Sequence, residues 1–171
     1  MPATALAWLR HLTRSTDDSA WQKLLSPFVG GEVPPVSLHL AVLVEPYLGF
    51  ILGGQKTIES RFSVRPGPPY GRVDAGDVVL MKASGGPIVG AFTAGSAWDY
   101  RLDPRSWREL RSTFAEALCA QDGFWERRAA AEYATLIRVR EPRALPPLAI
   151  PKRDRRGWVV VSERLKPGTF V

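Results

Sequence analysis

The chain has 171 residues, 45% of them hydrophobic and 23% charged, with a formal net charge of +6. That length suits one domain of ordinary size and is short for two, and the composition excludes a disordered or fibrous protein. No apolar run approaches the roughly 18 residues of a membrane-spanning helix, and Arg10 and His11 break the apolar start that a secretory signal would need, so the expectation is a soluble, cytoplasmic protein.

Residues 3–14 carry Leu6, Leu9 and Leu12 on one helical stripe, and residues 20–28 carry Trp21, Leu24, Leu25 and Phe28 on another, after N-cap candidates in "STDDS". "GGEVPPV" then interrupts the chain, so residues 1–36 read as a helical extension and linker, its apolar stripe meant for the surface of a main domain spanning 37–171. That domain begins with a β-branched strand, "SLHLAVLV". The segment "EPYLGFILGG" follows as a helix, with proline at its start and glycines at its end. "TIESRF" alternates with period two, placing Thr57, Glu59 and Arg61 on one face and Ile58, Ser60 and Phe62 on the other. A turn-rich loop leads to the strands "DVVLMKA" and "IVGAFTAGSAW", joined by "SGGP". Helical patterns return from Pro104 to about Ala131, broken near "QDG". Two last strands, "YATLIRVRE" and "GWVVVS", flank the proline-rich, basic "PRALPPLAIPKRDRR". The order fits one α+β domain with a short, bent and closed sheet better than a doubly wound one, because helices and strands do not alternate regularly.

The lone cysteine, Cys119, sits in apolar "FAEALCA" and reads as core. His11 and His39 stand apart from each other and from the cysteine, so no metal site is expected, and no motif calls for a cofactor. Charge is distributed unevenly. From Arg138 to Lys166 nine basic residues face three acids, while the rest of the chain is balanced. An excess confined to one segment suits a polyanionic partner, and Lys152, Arg153, Arg155 and Arg156 are the candidates for a nucleic-acid backbone.

The densest chemistry lies in "GQKTIESR". A glycine at a helix end lets the chain reverse and presents Lys56 at an edge, and Glu59 and Arg61 share a strand face. If that face borders a cleft, the charges must pair with one another or with a ligand. If it faces water, they form an exposed pair of little energetic consequence. Gly54, Lys56, Glu59 and Arg61 match the G-x-K-x-x-E-x-R pattern, and in this the chain resembles the ASCH (ASC-1 homology) domain family of the PUA-like superfamily. The resemblance covers about residues 37–162, including the "EPYLGFI" helix, the "GDVVLMK" strand with Gly76 and Asp77, the "GGPIVGAF" strand and a closing strand. The stretches "FWERRAAAEYATLIRV" and "PKRDRRGWVVV" look like features of a bacterial subgroup.

The resemblance implies a small β-barrel flanked by helices, a cleft holding the lysine motif, and nucleic acid, RNA above all, or a modified nucleoside as ligand. In that reading Lys56 and Arg65 neutralise phosphate with Lys82 as a further cation, Glu59 accepts from a base amine, Arg61 steadies Glu59, and Thr57 lies beside them. Tyr70, Trp98 and Tyr100 are stacking candidates. An alternative comes from ASCH-class amidohydrolases acting on N4-acylated cytidines, in which a lysine of lowered pKa activates a hydroxyl. Those enzymes carry threonine where Glu59 stands, leaving Thr57 or Ser60 as substitutes and Asp122 as the nearest match for a later acid. Ribonuclease activity, ascribed to some family members, is a third reading, with Lys56 and Glu59 as base and acid on a 2′-hydroxyl.

Overall fold

The alternation in "LHLAVL" gives the first strand two apolar faces, and the rest of the chain packs onto both. The computed structural model describes residues 9–11, 13–14, 17–30, 34–150 and 155–164. Its elements are α1 (Ser19–Val29), β1 (Leu38–Leu43), α2 (Tyr47–Leu52), β2 (Ile58–Ser63), β3 (Val78–Ala83), β4 (Ile88–Arg101), α3 (Pro104–Phe114), a 3-10 turn at Glu126–Arg128, β5 (Tyr133–Leu148) and β6 (Trp158–Ser162). Of the expected helical stripe, Leu6 and Leu12 lie outside the described residues.

The six strands form one sheet in the order β2-β5-β4-β3-β1-β6, antiparallel except where β1 runs parallel to β3. Three register shifts between β4 and β5 add twist, and the sheet curls into a half-barrel. Its two edges approach one another without completing a ladder. Arg61 of β2 crosses the gap, donating to the carbonyls of Val42 in β1 (2.9 Å) and Gly157 beside β6 (3.1 Å). This seam holds the candidate site.

On one side of the sheet, Leu38, Leu40 and Leu80 pack with α1. Asp18 caps that helix by accepting from the amides of Ala20 and Trp21. Trp21, Leu25 and Phe28, spaced to lie on one face, are at most 2% exposed. Burial of each contributes about 1.5–3 kcal/mol. The Trp21 indole also donates to the carbonyl of Pro146 (2.9 Å), so the N-terminal helix is tied to β5 by both packing and a directed bond. On the other side, Ala41, Leu43, Val79, Met81, Phe92 and Ile137 meet α2 through Leu48 and Ile51.

Two elements differ from the sequence reading. β5 does not stop near Glu141 but continues through "PRALPPL". Its pairing with β2 ends near Arg138, and beyond that β4 is its strand neighbour. Pro142, Pro146 and Pro147 therefore sit where one side of the strand lacks a ladder, which is where proline is tolerated. Of the helical patterns expected from Pro104 to about Ala131 with a break near "QDG", the first ends earlier, at Phe114, and the second is only the 3-10 turn at Glu126–Arg128. A further turn closes with Ala120 donating to Ala115 and Cys119 to Glu116, and Cys119 takes φ +50°. That is a Schellman-type stop, and Cys119 is half-buried rather than core. Among the described residues, no helix is long and apolar enough to cross a membrane.

Candidate functional site

The lysine motif is held at both ends by backbone bonds. Gly54, at φ +79°, lets α2 stop and reverse, and the Lys56 amide returns to the carbonyl of Phe50 (2.9 Å). The turn after α3 leaves the Ala117 carbonyl without a helical partner, and the amides of Thr57 and Ile58 both donate to it, each at 3.1 Å. Lys56 is thereby clamped between α2 and that turn, and only 2% of it is exposed.

Its ammonium donates to the Ile58 carbonyl and stands 3.3 Å from Glu59 Oε2. Burial pushes the Lys56 pKa below its ordinary value, against the opposing pull of the Glu59 carboxylate. Glu59, 3% exposed, is shared: its other oxygen lies 2.9 Å from Arg61 Nε. This contact is ionic in character, because the Nε–H does not align on an acceptor. The terminal nitrogens of Arg61 make the seam bonds described above, and its guanidinium lies over the Trp158 ring, 5.3 Å from the centroid.

Trp158 is itself fixed from below. Its indole donates to His39 Nδ1 (3.2 Å), so the neutral ring carries its hydrogen on Nε2, facing Asp77 Oδ2 at 3.1 Å. Burial would raise the Asp77 pKa, but bonds from His39 and the amides of Asp74 and Ser37 outweigh it and hold the carboxyl below its ordinary value. Arg164 adds ion pairs to Asp74 and to Asp77. A buried polar chain thus runs from Asp77 through His39 to Trp158, on which Arg61 rests.

Lys56, Glu59 and Arg61 open on a cavity of about 390 Å³ at the seam, within the roughly 300–1,000 Å³ of small-molecule sites. The end of β1 forms one wall, with Val42, Leu43 and Val44, and Tyr47 of α2 another. Phe124, Arg127 and Arg128 come from the segment after α3. Among the described residues, four cationic side chains and one carboxylate therefore line the cavity. The Arg128 guanidinium lies over Phe124, 3.7 Å from its centroid, and donates to the Phe124 carbonyl; burial lowers its pKa, yet a guanidinium stays charged at neutral pH. The Tyr47 hydroxyl is buried with no hydrogen-bond partner among the described residues, and such an orphaned group is costly unless something else meets it.

The sequence did not single out Tyr47, Phe62, Phe124, Arg127 or Arg128 as site residues. The available signal was "FWERR", where aromatic and cationic residues are adjacent. Ser60 and Phe62, expected on the opposite face from Glu59, line the cavity as well. β2 is an edge strand, and the cleft wraps over its margin, so both of its faces contribute.

Several expected ligand residues lie elsewhere. Thr57 precedes the strand and is exposed, and neither it nor Arg65, in the loop after β2, is among the residues lining the cavity around Lys56. Lys82 is turned into the tight β3–β4 connection, where it donates to Ala83 and Gly86. Trp98 packs on Phe114, and Tyr100 donates to Glu109 of α3. Asp122 is exposed, and its contact with Arg127 is through its backbone carbonyl. Tyr70 lines a second, smaller cavity on the same seam. Arg155 and Arg156 are exposed and lead directly into Gly157 at the seam, while Lys152 and Arg153 lie outside the described residues. Among the described residues, no group of three or more histidine, cysteine or acidic side chains is arranged to hold a metal ion.

The curled six-stranded sheet has counterparts among solved structures. The ASCH protein from Zymomonas mobilis superimposes with a TM-score of 0.58 at 12% identity, over 72% of this chain and 86% of that one. The fold is ASCH-like. A mutant of the same protein gives 0.57 at 15% identity, over 72% and 88% of the two chains, and another gives 0.52 at 18%, over 68% and 76%. By sequence, no family model and no curated protein matches the chain. The ASCH-like fold is thus carried by a sequence far removed from those neighbours, and the function must be argued from the site itself.

Proposed function

We propose that the seam cleft binds a nucleobase, either in single-stranded RNA together with the adjoining phosphate or as a modified nucleoside. The observation that carries this reading is the joint presence of Lys56, Glu59, Arg61, Arg127 and Arg128 with aromatic rings in one cavity of about 390 Å³. The cations suit phosphate oxygens, Glu59 accepts from an exocyclic amine, and the partly exposed Tyr47 and Phe62 line the cavity where a base would lie. The unbonded Tyr47 hydroxyl supplies a further polar contact. Exposed Arg155 and Arg156 extend the positive surface beside the seam.

The test is titration of short single-stranded RNAs and nucleoside monophosphates at several salt concentrations. Affinity falls with salt, with a slope of about −0.7 per phosphate contacted, and Lys56→Ala weakens binding at least tenfold. Salt-independent binding, or binding that survives Lys56→Ala, overturns the assignment.

A second reading, hydrolysis of an acylated nucleoside or of RNA, has one observation in its favour. A lysine whose pKa is lowered by burial, with Ser60 and Tyr47 hydroxyls in the same cavity, has the make-up of a base beside a nucleophile. Release of a carboxylic acid from N4-acetylcytidine, or of shortened RNA, abolished by Lys56→Ala, would establish turnover.

A further inference from the structure

We propose that the cleft has two chambers divided by Arg61, and that the smaller one receives the base of a neighbouring nucleotide, so that the ligand is a strand of at least two nucleotides. The proposal rests on the reading of the larger chamber as a nucleobase site. The second cavity, about 230 Å³, lies along the same seam and shares Arg61 and Phe62 with the first. It falls below the roughly 300 Å³ expected of a self-sufficient small-molecule site. As an annex to the first it has the scale of one planar ring.

Its chemistry differs from that of its neighbour. Phe62, Tyr70 and Trp158 are three aromatic residues among its lining, and among the described residues no carboxylate lines it and Arg61 is its one charged residue. Such walls stack a base without reading its edge, the mode of sequence-tolerant single-strand binding. Tyr70 is held in place for this. Its amide bonds to Gly67, the next amide, Gly71, donates to Asp99, and its ring meets Tyr133 edge-on at 5.2 Å.

Arg61 stands where the phosphate between two such bases would pass. Each terminal nitrogen uses one hydrogen on a seam carbonyl, Gly157 or Val42. A guanidinium has two hydrogens on each of these nitrogens, so one on each is left for a phosphate oxygen. The Trp158 ring beneath fixes the plane in which they are offered.

The experiment is calorimetric titration of the full chain with the four ribonucleoside 5′-monophosphates and the corresponding 5′-phosphorylated 2′-O-methyl homodinucleotides, which resist cleavage. The best dinucleotide binds about 10- to 100-fold more tightly than its monophosphate, the scale of one base stacked on aromatic walls. Tyr70→Ala removes that gain and leaves monophosphate affinity within about twofold, which also reports that the variant is folded, while Tyr70→Phe keeps it. A dinucleotide that binds no better than the monophosphate overturns the second chamber without recourse to any variant, and so does a gain that survives Tyr70→Ala. If monophosphate binding depends on Lys56 but no dinucleotide gain exists, only the second chamber falls. If no probe binds, both readings fall.

Discussion

Arg61 and Trp158 hold the two edges of an incomplete barrel together. The guanidinium rests 5.3 Å from the indole centroid while its nitrogens reach carbonyls of Val42 and Gly157 on the far side of the gap. A planar fork that stacks and donates in several directions at once is a property of arginine and not of lysine. Arg61→Lys is therefore expected to lose about 2 kcal/mol of stability, the value of one charge-assisted bond with its stacking. Urea unfolding of the two proteins measures it, and a loss below about 0.5 kcal/mol would mean that the edges meet without this strut.

Lys56, Glu59 and Arg61 depend on one another. Glu59 is the one carboxylate between two cations in a nearly dry setting. Glu59→Ala leaves both unpaired, at a cost of about 3–5 kcal/mol. Combining it with Lys56→Met removes one stranded charge, and the double variant should recover a substantial part of that loss, a non-additivity that a double-mutant cycle reads directly. Strict additivity would place the two side chains out of contact.

The lowered pKa of Lys56 has a definite consequence for alkaline stability. Burial places the folded-state value below 10.5, so between the two values the unfolded chain binds the proton more tightly. Stability then rises with pH across that window and levels off above the unfolded value. The unfolding free energy of wild type minus that of Lys56→Met should rise from pH 7 to pH 10. A signed difference that stays constant or falls contradicts the burial of a titrating amine.

Tyr47→Phe should move stability and binding in opposite directions. The hydroxyl is buried and unbonded, so its removal relieves a desolvation cost and stabilises the free protein by up to about 1 kcal/mol. If the hydroxyl meets ligand, affinity for the RNA or monophosphate probe drops about threefold to tenfold. Thermal unfolding without ligand and calorimetry with it separate the two effects.

Much of the site was legible because its determinants are local. Gly54 ends a helix, period-two alternation sets Glu59 and Arg61 on one face, and the three charges fall within six residues. The partners that complete the cavity were not legible, since Phe124, Arg127 and Arg128 reach it only because a distant carbonyl, Ala117, captures the amides of Thr57 and Ile58. Trp98 and Tyr100, named as stacking candidates for their aromatic character alone, respectively pack on Phe114 and bond Glu109 of α3, contacts set by tertiary packing that residue type does not reveal. The extension of β5 through its prolines was hidden because whether a strand margin is paired is a fact of topology, not of neighbouring residues.

Those same prolines have a bearing on behaviour in concentrated solution. A sheet that never closes risks recruiting the strand of another copy along any unpaired margin, the first step toward aggregation. Along the far half of β5, Pro142, Pro146 and Pro147 present no amide hydrogen, and because adjacent residues aim at opposite margins, one of the Pro146–Pro147 pair leaves a gap where an incoming strand needs a donor. The half-barrel can thus stay open along its seam while this stretch of β5 resists self-association.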